Sequence, residues 1–157
     1  MKALTVQQPW ATAILRYGKT VENRTQAWSY RGPLAIHAGA RWSERGDHSP
    51  LIRTELRRHL PQFDAATMGG RLPRWPFPMG VILGTVDLVD VHPDAGCCQP
   101  WGETFYVEHG GRERRRITHL VLENPRPLAE PIPCSGALGL WTPPHDVLLA
   151  IMRQETA

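Results

Sequence analysis

The sequence predicts an α+β fold that is mainly β, a small barrel or sandwich with two or three short helices packed around it. Three observations carry this. Short stretches of alternating apolar residues recur along the chain, as at 34–38 and 81–91. Fifteen prolines and fourteen glycines among 157 residues punctuate those stretches with turns. Helical periodicity is confined to a few brief segments.

A chain of this length fits one domain over residues 1–157 and buries about two-thirds of its unfolded surface. Residues 2–6 read as a first strand with Leu4 and Val6 on one face. Trp10, Ala13, Ile14 and Tyr17 follow at i, i+3, i+4 and i+7, one face of a short helix. Pro9 suits its first turn, where a missing N–H costs nothing, and Gly18 suits its stop. If 20–24 is extended, Thr20, Glu22 and Arg24 share a face, with Lys19 at the corner. Residues 25–32 form a loop carrying Trp28, Tyr30 and Arg31, and 33–38 alternate again, with Ala35 and His37 opposite Leu34, Ile36 and Ala38.

The pattern breaks over 41–78, an insertion expected to lie over one sheet edge. Ser49-Pro50 predicts the start of a helix over about 50–60, with Ile52, Leu56 and Leu60 as its stripe and Arg53, Arg57, Arg58 and His59 on its polar face. A loop over 61–78 contains Gly69-Gly70, Arg71, Arg74 and Trp75. Residues 79–91 give the strongest strand signal, and Gly84 inside it predicts a bulge or a close backbone approach. Gly110-Gly111 predicts a hairpin turn between 104–109 and 112–118. Strand continues over 117–123, prolines punctuate 125–133, and 137–141 is a last strand. A C-terminal helix over about 144–155 is expected to bury Val147, Leu148, Ile151 and Met152.

No apolar run approaches ~20 residues, so no membrane span is expected, and no signal-peptide pattern is visible. A cytoplasmic protein is the default. Net charge is only +3. The three cysteines read as reduced thiols. His92, Cys97, Cys98, His109, His119 and Cys134 show neither C-x-x-C nor H-x-x-x-H spacing, so no metal is expected, and no cofactor. The zinc deaminase and phosphate-loop patterns are missing as well.

Lys19, Glu22 and Arg24 place a cation, an anion and a second cation at one chain reversal. A guanidinium can fork onto phosphate, and a carboxylate can accept from an exocyclic amine. As a catalytic set, Lys19 would be the base and Glu22 its partner. The alternative is a surface salt-bridge cluster of little energetic weight. Trp10, Trp28, Tyr30, Trp42, Trp75 and Trp101 are candidate platforms for unpaired bases, with core packing the favoured reading for Trp10 and Trp141. The basic runs 53–59, 71–74 and 112–116 offer phosphate contacts, although solvated faces are their usual fate.

Taken in series, Leu4-Thr-Val-Gln-Gln-Pro-Trp10, Gly18-Lys-Thr-Val-Glu-Asn-Arg24, Tyr30-Arg-Gly32, Leu34-Ala-Ile-His-Ala38, Gly80-Val-Ile-Leu-Gly-Thr-Val-Asp87 and Gly139-Leu-Trp141 resemble the ASCH domain, of the PUA-like superfamily. The resemblance covers nearly the whole chain, with 41–78 and 95–116 lacking a counterpart. It implies a PUA-like β-barrel with a cleft beside the Lys-Glu-Arg strand, and relatives that bind RNA or DNA. One branch hydrolyses acetylated cytidine through a lysine, a threonine three residues later and a separate glutamate. Lys19 matches that lysine, but Glu22 stands at the threonine position, where a carboxylate cannot replace a hydroxyl nucleophile.

The reading that follows is a module for RNA or single-stranded DNA. Its ligand-facing set is Gln8, Trp10, Lys19, Glu22, Arg24, Trp28, Tyr30, Arg31 and His37. The alternatives are a small hydrolase acting on RNA or a modified nucleoside, with Lys19 and Glu22 as the working pair, and a protein-interaction domain.

Overall fold

The alternation at the start of the chain builds strand β1 (Lys2–Gln8), and helix α1 (Trp10–Arg16) follows directly. Pro9 occupies the N-cap, and its carbonyl accepts from Ala13 N–H at 3.0 Å. The helix stops where the sequence predicts. Gly18 adopts φ +69°, a conformation that penalises any Cβ. The chain, described here by a computed structural model, is given over residues 1–62, 70–107 and 114–156, with backbone alone at 105–107 and 114–115.

One curled six-stranded sheet organises the fold, in the order β2 (Val21–Arg24), β7 (Thr118–Pro133), β4 (Val81–Pro93), β3 (Gly32–Trp42), β1, β8 (Leu140–Trp141). Its pairs are antiparallel except β1 with β3, which α1 and β2 separate in sequence. The curl is a half-barrel. Helix α1 lies inside it, and Ala11, Ile14 and Leu15 pack against Leu4, Val6, Leu34, Ile36, Val86 and Leu120. Each large aliphatic side chain buried there contributes about 1.5–3 kcal/mol.

A second apolar cluster joins 43–62 and 70–78 to this frame. Beyond β3 come helix α2 (Glu44–Asp47) and helix α3 (Pro50–His59), whose Ser49 oxygen accepts from Ile52 N–H as an N-cap should. Ile52 and Leu56 pack with Leu72, Phe77 and Trp101 against Tyr17 and Val21. Helix α2 was not expected. It is a single turn without apolar periodicity, started by Ser43, whose hydroxyl accepts from Gly46 N–H.

Gly84 shows both features that a strand glycine signals. The β4 register shifts beside it against β3 and again against β7, and an added Cβ would collide with the Arg126 carbonyl and lie 2.9 Å from Pro127 Cα. The proline-punctuated stretch, by contrast, is strand: β7 runs unbroken to Pro133. Pro125, Pro127, Pro131 and Pro133 share one parity, and β2 covers only residues 118–121 of the outer edge. Proline is tolerated where no N–H is required. The last strand is shorter than expected, with only Leu140 and Trp141 pairing to β1.

Strands β5 (Phe105–Val107) and β6 (Arg114–Arg116) pair antiparallel, and the predicted turn at Gly110-Gly111 lies outside the described residues, as does Gly69. Helix α4 (His145–Glu155) buries Val147 and Ile151, but Leu148 is only half-buried and Met152 is 56% exposed. Among the described residues, no helix is long and apolar enough to cross a membrane.

Gly84→Ala is expected to cost about 3 kcal/mol, the upper end of overpacking, because its Cβ meets backbone that cannot rotate away. Urea unfolding of both proteins measures this, and an unchanged midpoint would disprove the close approach.

Candidate functional site

The reversal after α1 places Lys19, Glu22 and Arg24 together, as the strand periodicity requires, but buries the first two and half-buries Arg24. Lys19 is 4% exposed and Glu22 7%. Lys19 Nζ donates to Glu22 Oε2 at 2.9 Å and to the Val21 carbonyl, and it stands 5.7 Å from the centre of the Trp10 ring. Arg24 Nε donates to Glu22 Oε1 at 3.1 Å, while Nη2 reaches the Thr5 carbonyl at 2.8 Å. Burial alone would raise the Glu22 carboxyl, but the Lys19 ammonium and the Arg24 guanidinium outweigh it and hold the acid below its ordinary range. The carboxylate is therefore ionised and saturated. Arg24 also spans from β2 to β1, the two strands that approach each other where the half-barrel is open.

On the far side of Thr5 lies a cleft of about 800 Å³, lined by Thr5, His37, Gly39, Ala40, Gly80 and the segment 133–138. His37 pairs with Thr5 across β3 and β1, and Thr5 Oγ1 accepts from Trp141 Nε1 at 3.1 Å. The Trp141 ring meets His37 edge-on at 5.7 Å. His37 is 2% exposed, with Nε2 2.8 Å from the Cys134 carbonyl and Nδ1 lacking any protein partner. That bond assigns the proton to Nε2 and leaves Nδ1 an acceptor. Burial lowers the His37 pKa, against the opposing pull of the Cys134 carbonyl, so the ring is held neutral. Gly136 permits the cleft wall to lie this close, since an added Cβ would come within 2.5 Å of the ring.

The remaining expected residues divide. Gln8 is fully buried and committed: Nε2 donates to the Pro78 carbonyl at 2.8 Å, and Oε1 accepts from Thr12 N and Oγ1. Trp10 donates to Ser43 Oγ at 2.9 Å and packs between the two apolar clusters. Arg31 donates to the carbonyls of Trp28, Tyr30 and Val91, and the Tyr30 hydroxyl donates to Pro33 O at 2.6 Å. Trp28 packs on the main core. These groups fix a loop and do not converge on the His37 cleft.

Among the described residues, several arginines of the basic runs are also engaged. Arg53 donates to the Asp47 and Gly70 carbonyls, Arg58 pairs with Glu55, and Arg74 lies 4.4 Å over the Trp42 ring. Trp101 is buried, whereas Trp75 is 68% exposed. Arg41 is exposed and follows the cleft-lining Ala40 directly.

Two features escape the sequence reading. The Thr5–His37 floor of the cleft is set by strand register, with only the alternation around His37 to hint at it. The fold also gathers His92, Cys97, Cys98 and His119, whose ligand-type atoms all lie within 4.8 Å of one another. Spacing rules that look along the chain do not find this group, because β4–β7 pairing assembles it.

The ASCH domain family matches residues 4–131. Human Activating signal cointegrator 1 is 36% identical over 89 residues, which is 55% of this chain and only 14% of that protein's length. The crystal structure of an ASCH protein from Zymomonas mobilis has a TM-score of 0.52 at 12% identity, covering 96% of this chain and 93% of that one. A point mutant of the same protein gives 0.55 at 13% identity, covering 96% of each. At such identities the structures are alike in fold alone.

Glu22→Gln leaves the buried Lys19 ammonium and the half-buried Arg24 guanidinium without their counter-charge and is expected to cost about 3–5 kcal/mol, most of it at Lys19. The wild-type contribution is present above the unfolded carboxylate range and is lost as pH falls through the lowered folded value. Urea melts across neutral and acid pH should therefore show the two proteins converging in acid. Parallel curves would refute the buried network.

Proposed function

The chain belongs to the ASCH domain family, and we propose that it binds single-stranded nucleic acid, RNA or DNA, by seating one unstacked base in the His37 cleft. The observation that carries this reading is the His37 Nδ1 atom, a buried acceptor without a protein partner at the floor of a cleft of about 800 Å³. That volume falls in the usual range for small-ligand sites, about 300–1,000 Å³. An unstacked base offers amino or imino N–H donors to the polar groups that line such a cleft. Leu138, 98% exposed at the rim, supplies an apolar surface for a base face, and Arg41 supplies a phosphate contact beside it. Arg24, itself held by Glu22, backs this site by donating to the Thr5 carbonyl.

Catalysis by Lys19 and Glu22 has less support. A general base needs an available lone pair, and the Lys19 ammonium is bound by a carboxylate and a carbonyl, while Glu22 accepts from both cations.

Fluorescence anisotropy with short single- and double-stranded RNA and DNA, at low and physiological salt, tests the reading. Salt-sensitive binding to single strands is expected. His37→Ala should weaken it about tenfold, or ~1.4 kcal/mol. Arg41→Ala should reduce the salt slope by about 0.7, the share of one phosphate contact on a single strand. A folded protein that binds no oligonucleotide would overturn the proposal in favour of a protein-interaction domain. Lys19-dependent product from RNA or an acylated nucleoside, read by mass spectrometry, would replace it with a hydrolase.

A further inference from the structure

We propose that His92, Cys97, Cys98 and His119 bind one zinc ion as a closed, structural site. The group is built by the sheet. His92 and His119 face each other across β4 and β7, with ring centres 5.4 Å apart, and the connection after β4 returns over them with Cys97 and Cys98.

The spacings match a tetrahedral ion. With Zn–S ~2.3 Å and Zn–N ~2.0 Å, sulfur and nitrogen ligands sit roughly 3.5 Å apart and two sulfurs roughly 3.8 Å apart. Here Cys97 Sγ is 3.7 Å from His119 Nδ1, Cys98 Sγ is 3.6 Å from His92 Nε2, and the two sulfurs are 3.4 Å apart.

The ring protons are also committed in the sense that a metal needs. His119 Nε2 lies 2.8 Å from the Glu103 carbonyl, and His92 Nδ1 lies 2.8 Å from the Pro93 carbonyl. Each outward nitrogen therefore carries the proton, and each inward nitrogen presents a lone pair to the sulfurs. Cys98 adopts φ +65°, a conformation that few residues other than glycine accept, and the fold holds it there beside Cys97. A set of two thiolates and two imidazoles in this geometry suits zinc. Four protein ligands leave no open position, so the ion would hold structure and not bind substrate.

What it would hold is specific. The segment 94–104 carries the two cysteines, and Asn23 grips its far end: Asn23 Nδ2 donates to the Trp101 carbonyl at 2.9 Å, and Oδ1 accepts from Glu103 N–H at 2.9 Å. Removing the ion would loosen the flank of β2, the strand of Glu22 and Arg24.

The test starts with wild-type protein expressed in zinc-supplemented medium, desalted and analysed by inductively coupled plasma mass spectrometry. One zinc per chain is expected. After denaturing chelation and refolding with Co²⁺, the spectrum should show thiolate-to-cobalt charge transfer and the intense visible bands of a tetrahedral ion. Cys97→Ser combined with Cys98→Ser should reduce zinc to background, whereas Cys134→Ser, outside the group, should retain it. Wild-type protein without zinc and without a thiolate–cobalt band would overturn the proposal. Undiminished zinc in the double variant would do the same. Should that variant fail to fold, the wild-type cobalt spectrum decides alone.

Discussion

The Glu22 carboxylate, buried between Lys19 and Arg24, is the interaction on which the local architecture depends. Taking one carboxylate and two cations out of water is unfavourable, and their mutual attraction offsets the cost only when geometry is good and the remaining donors are satisfied. Both conditions hold here. Lys19 Nζ also bonds the Val21 carbonyl, and Arg24 Nη2 bonds the Thr5 carbonyl. Compared with an apolar replacement the network is a poor source of stability, but it is a strict source of position. It fixes the end of α1, the start of β2 and the open edge of β1 relative to one another.

This arrangement separates scaffold from ligand surface. Three charges in one motif look like a working site, yet they satisfy one another, and Arg24 presents its free edge at about one-third exposure. The unsatisfied chemistry lies one strand away. Thr5 accepts Arg24 through its carbonyl and Trp141 through its hydroxyl, and it pairs in register with His37. A chain of contacts thus runs from the buried network through Thr5 and Trp141 to the His37 ring.

The local features of this design were legible in the sequence, and the long-range ones were not. Gly18 announced the helix stop, Ser49-Pro50 announced α3, and alternate placement put Glu22 and Arg24 on one face. Each depends on neighbours within a few residues. Burial was not legible, because the covering groups arrive from afar: Trp10 closes over Lys19, and Thr5 reaches Arg24 from β1. Proline misled at 125–133, since its missing N–H forbids a central strand but not one with an open outer edge. Met152 fits a helical stripe, yet it is left 56% exposed. The histidine–cysteine group depends wholly on register between strands far apart in sequence.

Strand β2 shows why register matters so much in a fold this size. It is four residues long, and both of its faces are committed. Glu22 and Arg24 turn toward Lys19 and Thr5, while Asn23, between them, turns to the opposite face and binds Trp101 and Glu103. Because side chains alternate strictly, a slip of one residue against β7 would turn Glu22 and Arg24 to the face where Asn23 meets Trp101 and Glu103, and Asn23 toward Lys19. Opposite Asn23 on β7 stands His119, itself bonded to the Glu103 carbonyl. The loop is therefore read twice from neighbouring strands, and only one register satisfies both readings. Charge on one face and hydrogen-bond matching on the other together specify a pairing that four residues of β-propensity could not specify alone.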